Sequence, residues 1–320
     1  MQGSTPSAKL GIASAAAGAL LWGFSGVCLQ FLAAEYGVSS LFATMVRSLV
    51  AAVLFLAVIV AHDRRTLLRI LSDRRLLAQH AVFGLGLFGS QFFYALSIAL
   101  TNAGTATILQ MSSTVFVLVY TAFAARAFPS ARELAGLLCA LGGVWLIVTH
   151  GNPTALVLPA AGLAIGLLNG ISTAVYVAYP KRLLATFGSF TSTGIAMAFN
   201  AVLSSLLWAG SQALSPVGAH TVSPLPALDA FGVLVLIGGV AVLGTFVAFW
   251  LYVNGIRHAG PVTGSILGAL EPLSALLVGS WWMGNPIAPA DWTGFALMVA
   301  MVVLVSLPKR TSCTSAKYSS

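Results

Sequence analysis

Fourteen of the chain's fifteen Lys and Arg residues lie in alternate connections between ten long apolar segments, and the intervening connections carry none. Short loops that stay in the cytoplasm keep their Lys and Arg during membrane insertion, so this distribution sets both the number of crossings and their orientation. The pattern predicts an all-α polytopic membrane protein with ten transmembrane helices and with both termini in the cytoplasm.

Each apolar segment is long enough to cross a bilayer core, which takes about 20 residues. The connection at 62–79, where leucines alternate with arginines, is predicted to form a short basic helix at the membrane interface. The stretch 213–228 is rich in Pro, Ser and Gly and is predicted to be an external loop. The spans are predicted at residues 10–33, 38–61, 80–100, 103–124, 132–149, 158–179, 188–211, 229–254, 260–283 and 291–307.

The composition excludes a soluble globular protein, because 58% of the residues are hydrophobic, 7% are charged and the mean hydropathy is +0.96. The net charge of +8 is expected to fix orientation and to contact anionic lipid headgroups, and no nucleic-acid partner is predicted. Three cysteines without metal-ligand spacing predict neither a disulfide framework nor a metal site. No cofactor is expected.

The chain also repeats itself. A shift of 158 residues aligns Phe92–Tyr94 with Trp250–Tyr252, and a shift of 147 aligns Leu20–Ser25 with Leu167–Ser172. Two five-span halves have opposite orientations because five is odd, and such inverted repeats are typical of transporters with a central site near the midplane. The predicted order is a cytoplasmic segment 1–9, a first repeat 10–149, an external linker 150–157, a second repeat 158–307 and a cytoplasmic tail 308–320.

Two charged residues, Arg47 and Glu271, lie deep in the predicted spans. At about 1.5 Å per residue, Arg47 lies roughly 13 Å from the outer face and Glu271 roughly 16 Å from the inner face. A charge at that depth is costly and should face protein, water or a partner. The two residues can pair or form separate structural hydrogen bonds. Alternatively, Arg47 binds a solute carboxylate and Glu271 an amine or a proton.

The ninth span is predicted to be broken near the midplane. Pro272 removes a helix hydrogen bond and disfavours helical geometry at Glu271. Gly264 and Gly268 lie on one face of the same helix, which permits close approach and sliding. These three residues are candidates for a gate, with ordinary helix packing and a purely structural kink as the alternatives.

Four segments of the sequence resemble the EamA family of the drug/metabolite transporter superfamily: Ala19–Ser25, Thr101–Gln110, Glu133–Leu138 and Gly260–Pro272. The resemblance covers residues 10 to 307. It implies two inverted EamA repeats in the bacterial inner membrane, solute export, and a cavity lined by spans one to four and six to nine. The sequence departs from the family pattern at Ala127 and Asn285, where many members have Glu, and at Thr114, where Pro is common.

Polar and aromatic side chains within these spans are candidates for the substrate route. Aromatic rings suit a flat or apolar solute, and amides can orient its polar end. The alternatives are anchoring at the membrane interface and hydrogen bonding between helices. The predicted substrate-binding residues are Trp22, Arg47, Gln91, Tyr94, Gln110, Asn169, Tyr176, Trp250, Asn254 and Glu271.

An enzyme is not predicted. The stretch Gly23–Gly26 resembles the serine motif of intramembrane proteases, but all five histidines are expected in loops or near span ends, and no phosphate-binding loop is present. The sequence predicts a secondary active or facilitative transporter, a monomer or homodimer, that exports small metabolites, with amino acids first and protons as a candidate coupling ion. The alternatives are a drug or quaternary-cation exporter and a non-transporting membrane scaffold.

Overall fold

A computed structural model describes residues 6–126, 128, 130–152, 157–214 and 226–306. Ala127 and the tail at 308–320 lie outside the described residues. The described chain is helical and contains no strand. Its elements are α1 Pro6–Tyr36, α2 Ser40–His62, α3 Arg64–Ser72, α4 Arg74–Leu100, α5 Ala103–Gln110, α6 Ser113–Ala125, α7 Ala131–Thr149, α8 Ala160–Ala178, α9 Lys181–Phe187, α10 Ser189–Ala213, α11 Ala230–Val233, a π-helical segment Leu234–Val247, α12 Ala248–Ala259, α13 Pro261–Gly268, α14 Leu270–Met283 and α15 Pro289–Ser306.

The predicted all-α membrane architecture is confirmed. Within the described residues, nine helical stretches are long and apolar enough to cross a bilayer, and Pro289–Val305 is a tenth, shorter apolar helix. The third span begins earlier than predicted, at Arg74, because the Asp73 carboxylate caps α4 by accepting the backbone N–H groups of Arg75 and Leu76. The basic interfacial helix is therefore limited to Arg64–Ser72.

The connections between the spans gather at two faces. We call the face that carries the connections at 62–74, 126–131, 178–189 and 259–261 the arginine-bearing face. There, the Thr191 hydroxyl donates to the Asp63 carboxylate at 2.8 Å. On the opposite face, the Tyr36 hydroxyl donates to Asp229 at 2.7 Å and His150 lies 3.3 Å from Asp291. These contacts tie loops that are distant in sequence into two separate ends of the bundle.

The internal repeat is visible in the helices themselves. A shift of 158 residues carries Ala103–Gln110, which is α5, onto Pro261–Gly268, which is α13. The breaks that follow these helices, at Met111 and Ala269, are related by the same shift. The fourth and ninth spans are therefore each divided into two half-helices at equivalent positions, as expected of two repeats with a common fold.

Helix α1 lies at the centre of the bundle and packs against α12, α14 and the π-helical segment. Glycine permits the closest of these contacts. A Cβ at Gly23 would overlap the backbone carbonyl oxygen of Glu271, and a Cβ at Gly244 would overlap the Ser25 side chain. This close packing holds α1 against α14, which carries Glu271, and against the π-helical segment, which carries Thr245.

Candidate functional site

A cavity lies between the two repeats at the level of the broken helices. Its inner part has a cavity volume of about 100 Å³ and contains Arg47 and Glu271, and an adjoining part of about 430 Å³ extends to Val305, next to the end of α15. This size is adequate for a small organic ligand. We call the two parts together the central cavity. Both parts are lined by Trp22, Gln110, Thr173, Tyr176 and Glu271.

Arg47 is held by one edge of its guanidinium group. The side chain is 5% exposed, and its Nε donates to the Thr245 hydroxyl at 3.2 Å. Thr245 in turn donates to the Val240 carbonyl five residues earlier, at 2.8 Å, within the π-helical segment. The Nη1 atom of Arg47 has no hydrogen-bond partner. A buried guanidinium nitrogen without a partner is costly and available to an anionic ligand.

Glu271 lies in the first turn of α14, immediately after the break in the ninth span. It lines both parts of the central cavity. In the described chain, Arg47 and Glu271 do not approach within the 4.0 Å of an ion pair. The guanidinium group and the carboxyl group therefore face a common space without forming an ion pair.

Hydroxyl and amide groups form a hydrogen-bonded chain along one side of the cavity. Ser90 and Thr173 share a hydrogen bond of 2.8 Å, and the Thr173 hydroxyl also lies 3.3 Å from the Asn169 amide oxygen. Asn169 Nδ2 donates to Gln110 Oε1 at 3.0 Å. The chain fixes the orientation of the Gln110 amide and links α4, α5 and α8.

Gln91 and Tyr94 are also fixed by neighbours. Asn200 Nδ2 donates to Gln91 Oε1 at 2.9 Å, and the Tyr94 hydroxyl shares a hydrogen bond of 2.8 Å with Thr107. Both Gln91 and Tyr94 line the cavity. These polar groups are therefore held in place before any solute arrives.

Aromatic rings form a second side of the cavity. The Trp22 ring lies 5.1 Å from the Phe249 ring and 4.6 Å from the Tyr252 ring, measured between centroids. Tyr176 stacks on Phe83 at 5.8 Å. The cavity thus combines an apolar aromatic side with two charged groups and several oriented amides.

The structure brings together most of the predicted site residues. Those that line the central cavity are Trp22, Arg47, Gln91, Tyr94, Gln110, Tyr176, Glu271, Gly268 and Pro272. Asn169 lies behind Gln110 as its hydrogen-bond partner. Trp250 and Asn254 do not line the cavity. The Trp250 side chain is 50% exposed, and Asn254 Nδ2 donates to the backbone carbonyl of Trp250. Gly264 accepts a hydrogen bond from the Tyr252 hydroxyl through its carbonyl oxygen.

Other lining residues were not among the predicted site residues. Ser25, Ser90 and Phe249 line the inner part of the cavity, and Thr245 holds Arg47 from behind. Thr173 also lines the cavity, and its position one helical turn after Asn169 predicts that the two share a helix face. Thr245 gave no such signal, because its contact with Arg47 depends on the path of the π-helical segment.

An amide contact lies on the face opposite the arginine-bearing face. Gln30 Nε2 donates to Asn285 Oδ1 at 2.9 Å, and Gln30 Oε1 accepts from both the Ala103 backbone N–H and Asn285 Nδ2. The Trp282 ring stacks on the Phe31 ring, with a distance of 5.1 Å between the centroids. These contacts join α1, α5 and the end of the ninth span.

The chemistry of the central cavity suits the binding of an organic solute. Among the described residues, no group of three or more His, Cys, Asp or Glu side chains is placed to hold a metal ion. Ser25 lines the cavity, and no histidine is found among the described lining residues, so the cavity offers Ser25 no imidazole base.

The sequence profile of the EamA-like transporter family matches residues 9–149 and 160–307. An inner membrane transporter of Salmonella typhimurium, YicL, is 32% identical over 97% of this chain and 99% of its own length. A Bacillus subtilis transporter, YwfM, is 27% identical over 55% of each chain. A solved crystal structure of a protein that is 20% identical superposes with a TM-score of 0.60 over 94% of this chain and 95% of its own, which shows a common fold.

Proposed function

This chain belongs to the EamA-like transporter family, and on that premise we propose that it exports small metabolites, with amino acids and related compounds as the substrate class. The chain is a multi-pass protein of the bacterial inner membrane, as its apolar helices and its relatives indicate.

The observation that carries the proposal is the partnerless Nη1 atom of Arg47 in a cavity that also contains Glu271. A guanidinium group binds carboxylate through charge-assisted hydrogen bonds. An α-amino acid carries both a carboxylate and an ammonium group, so it can satisfy Arg47 and Glu271 at once. Its side chain would then lie against Trp22, Tyr176 and Phe249.

We further propose alternating access. The positive-inside rule places the arginine-bearing face in the cytoplasm, and the central cavity extends towards that face while Gln30, Asn285 and Ala103 close the other. The structure then corresponds to an inward-facing state. Rocking of the two repeats would open the external side and release the solute. A proton bound at Glu271 is the proposed coupling ion.

A drug or quaternary-cation exporter is the second candidate. Glu271 lies in the same cavity as Trp22, Tyr176 and Tyr252, and aromatic rings beside a carboxylate attract organic cations. This alternative gives Arg47 no role in binding the ammonium group, which has no lone pair to accept a hydrogen bond and carries the same charge as the guanidinium group. The response of transport to changes at Arg47 therefore distinguishes the two candidates.

The test is counterflow in proteoliposomes that contain the purified protein. Labelled neutral amino acids, their amine analogues without the carboxylate, and a quaternary cation are offered with and without a proton gradient. We expect saturable exchange of the amino acids, with a response to the gradient that is lost in Glu271→Gln. Exchange of the cation alone would support the second candidate. Folded protein that exchanges none of these solutes would contradict the proposal and favour a scaffold.

A further inference from the structure

Outside the central cavity, α6 and α8 enclose an apolar groove that the transport proposal does not use. The groove has a volume of about 300 Å³ and is lined by aliphatic and aromatic side chains, among them Val117, Tyr120, Ile171, Val175 and Tyr179. From Ile171 to Tyr179 it runs roughly 12 Å along α8, at about 1.5 Å per residue. Its shape is that of a slot between two helices.

The groove faces away from the bundle. Tyr120 is 64% exposed and Val175 is 46% exposed, and both residues belong to helices that span the membrane. Within the membrane, an exposed apolar side chain is surrounded by lipid acyl chains. An acyl chain can fill an apolar slot without the loss of any polar contact. Tyr120 and Tyr179 lie at the end of the groove nearer the arginine-bearing face, where tyrosine is favoured at the membrane interface.

Basic side chains continue the groove at that end. Arg126 ends α6, roughly 9 Å beyond Tyr120 along the helix at about 1.5 Å per residue. Lys181 and Arg182 follow the end of α8 directly after Tyr179 and Pro180. All three basic side chains are exposed. The two helices that enclose the apolar slot therefore each end in positive charge on the same face.

We propose that this groove is a binding site for one anionic phospholipid of the adjoining leaflet. An acyl chain lies in the slot between α6 and α8, and the headgroup phosphate contacts Lys181, Arg182 and Arg126. Basic residues between membrane helices at a charged face bind anionic headgroups. The combination of an apolar slot and a basic rim selects a phospholipid over a free anion or a neutral lipid.

The site adjoins the transport route. Val117 lines both the groove and the central cavity, and α6 is the half-helix that follows the break in the fourth span. A lipid in the groove contacts α6 on its outer side while a solute contacts α6 on its inner side. The lipid is therefore placed to influence how α6 moves during transport.

The test measures binding directly and does not depend on transport. The purified protein in mild detergent is incubated with equal amounts of dioleoyl phosphatidylglycerol and dioleoyl phosphatidylcholine, and bound lipid is counted by native mass spectrometry. We expect phosphatidylglycerol to be bound about tenfold more often. The double variant Lys181→Gln/Arg182→Gln should lose this preference, and Ala178→Trp, which fills the slot, should lower the binding of both lipids.

Matched controls keep the proposal falsifiable. The double variant Arg64→Gln/Arg65→Gln removes the same charge elsewhere on the arginine-bearing face and is the control for Lys181→Gln/Arg182→Gln. Val53→Trp adds a ring at another lipid-exposed position and is the control for Ala178→Trp. Both controls should bind lipid like the wild type. Arg126→Gln is a milder variant that should lower phosphatidylglycerol binding at least twofold. Equal binding of the two lipids by the wild type overturns the proposal. The proposal is also overturned if folded Arg126→Gln and folded Lys181→Gln/Arg182→Gln both keep the full preference for phosphatidylglycerol.

Discussion

At the scale of single residues, the decisive feature is a guanidinium group with one edge held and the other free. Thr245 fixes the Arg47 Nε atom, so the remaining donors keep a defined direction. Because the hydroxyl of Thr245 is itself committed to the Val240 carbonyl, its oxygen is oriented to accept from Arg47. This preorganisation reduces the cost of binding a carboxylate.

Replacing Arg47 tests that role. Arg47→Gln removes the charge, and a charge-assisted hydrogen bond is worth about 1.5–3 kcal/mol, so we expect transport of carboxylate-bearing solutes to fall ~10- to 100-fold. Arg47→Lys keeps the charge but loses the forked geometry and should give an intermediate loss. Counterflow of amino acids and of the matching amines provides the measurement. An equal loss for both solute classes would show that Arg47 is structural.

Asp229 provides a pH test on the opposite face. Its carboxylate accepts the Gly232 N–H and the Tyr36 hydroxyl, each at 2.7 Å, and these bonds hold the pKa of Asp229 below its ordinary value. A lowered folded-state pKa stabilises the protein above the unfolded value of about 3.9, and this contribution is lost as the pH falls through the folded value.

We therefore expect Asp229→Asn to lower the midpoint of thermal unfolding at pH 7 and to have a smaller effect at pH 3. Unfolding in detergent at the two pH values gives the measurement. Glu35→Gln removes an exposed negative charge on the same face and should change the midpoint little at either pH. A destabilisation by Asp229→Asn that is the same at both pH values would contradict the assigned role of the carboxylate.

At the scale of helices, the two broken spans show what the sequence could and could not predict. Pro272 indicated the break in the ninth span, because proline removes a backbone donor. The fourth span has Thr114 at the equivalent position, and its break at Met111 was not predicted. The repeat itself was the usable signal, since a shift of 158 residues relates the two breaks. The π-helical segment, which packs against α1 and α2, has no comparable signal in the sequence.

That packing predicts a steep cost for one added methyl group. A Cβ at Gly244 would overlap the Ser25 side chain on α1, so Gly244→Ala should destabilise the protein by about 1–3 kcal/mol, as overpacking does. Gly238 lies in the same π-helical segment, where a Cβ would meet only the Leu234 side chain at 3.4 Å. Gly238→Ala is the matched control and should leave the unfolding midpoint nearly unchanged. Equal midpoints for the two variants would show that α1 can move away from Gly244.

At the scale of the whole molecule, the distribution of Lys and Arg and the internal repeat were sufficient to predict ten helices in two halves. Both signals are spread over many residues, so errors of a few residues at the helix ends do not affect them. The site was predicted less completely. Depth in the membrane identified Arg47 and Glu271, but Trp250 and Asn254 lie outside the cavity because the face they occupy depends on the rotation of α12 against its neighbours.

The same whole-molecule view predicts how the external side opens under alternating access. Gln30 forms two side-chain hydrogen bonds with Asn285 and accepts one from the Ala103 N–H. Gln30 and Ala103 both belong to the first repeat, so separation of the repeats must break only the two bonds to Asn285, and each contributes about 0.5–1.5 kcal/mol. Gln30→Ala should therefore shift the equilibrium towards the outward-open state about tenfold or more.

Accessibility of the cavity from outside the cell measures that shift. In a background with Cys28, Cys139 and Cys313 replaced by Ala, a cysteine placed at Ser90, which lines the cavity, is labelled with a membrane-impermeant maleimide added to whole cells. Gln30→Ala should raise the labelling rate, because in the proposed inward-facing state the Gln30 contact closes the external side. Glu35→Gln changes the same face without touching that contact and should label at the parental rate. If folded Gln30→Ala also labels at that rate, the Gln30 contact does not determine closure, and the aromatic contact of Trp282 with Phe31 becomes the element that holds the external side.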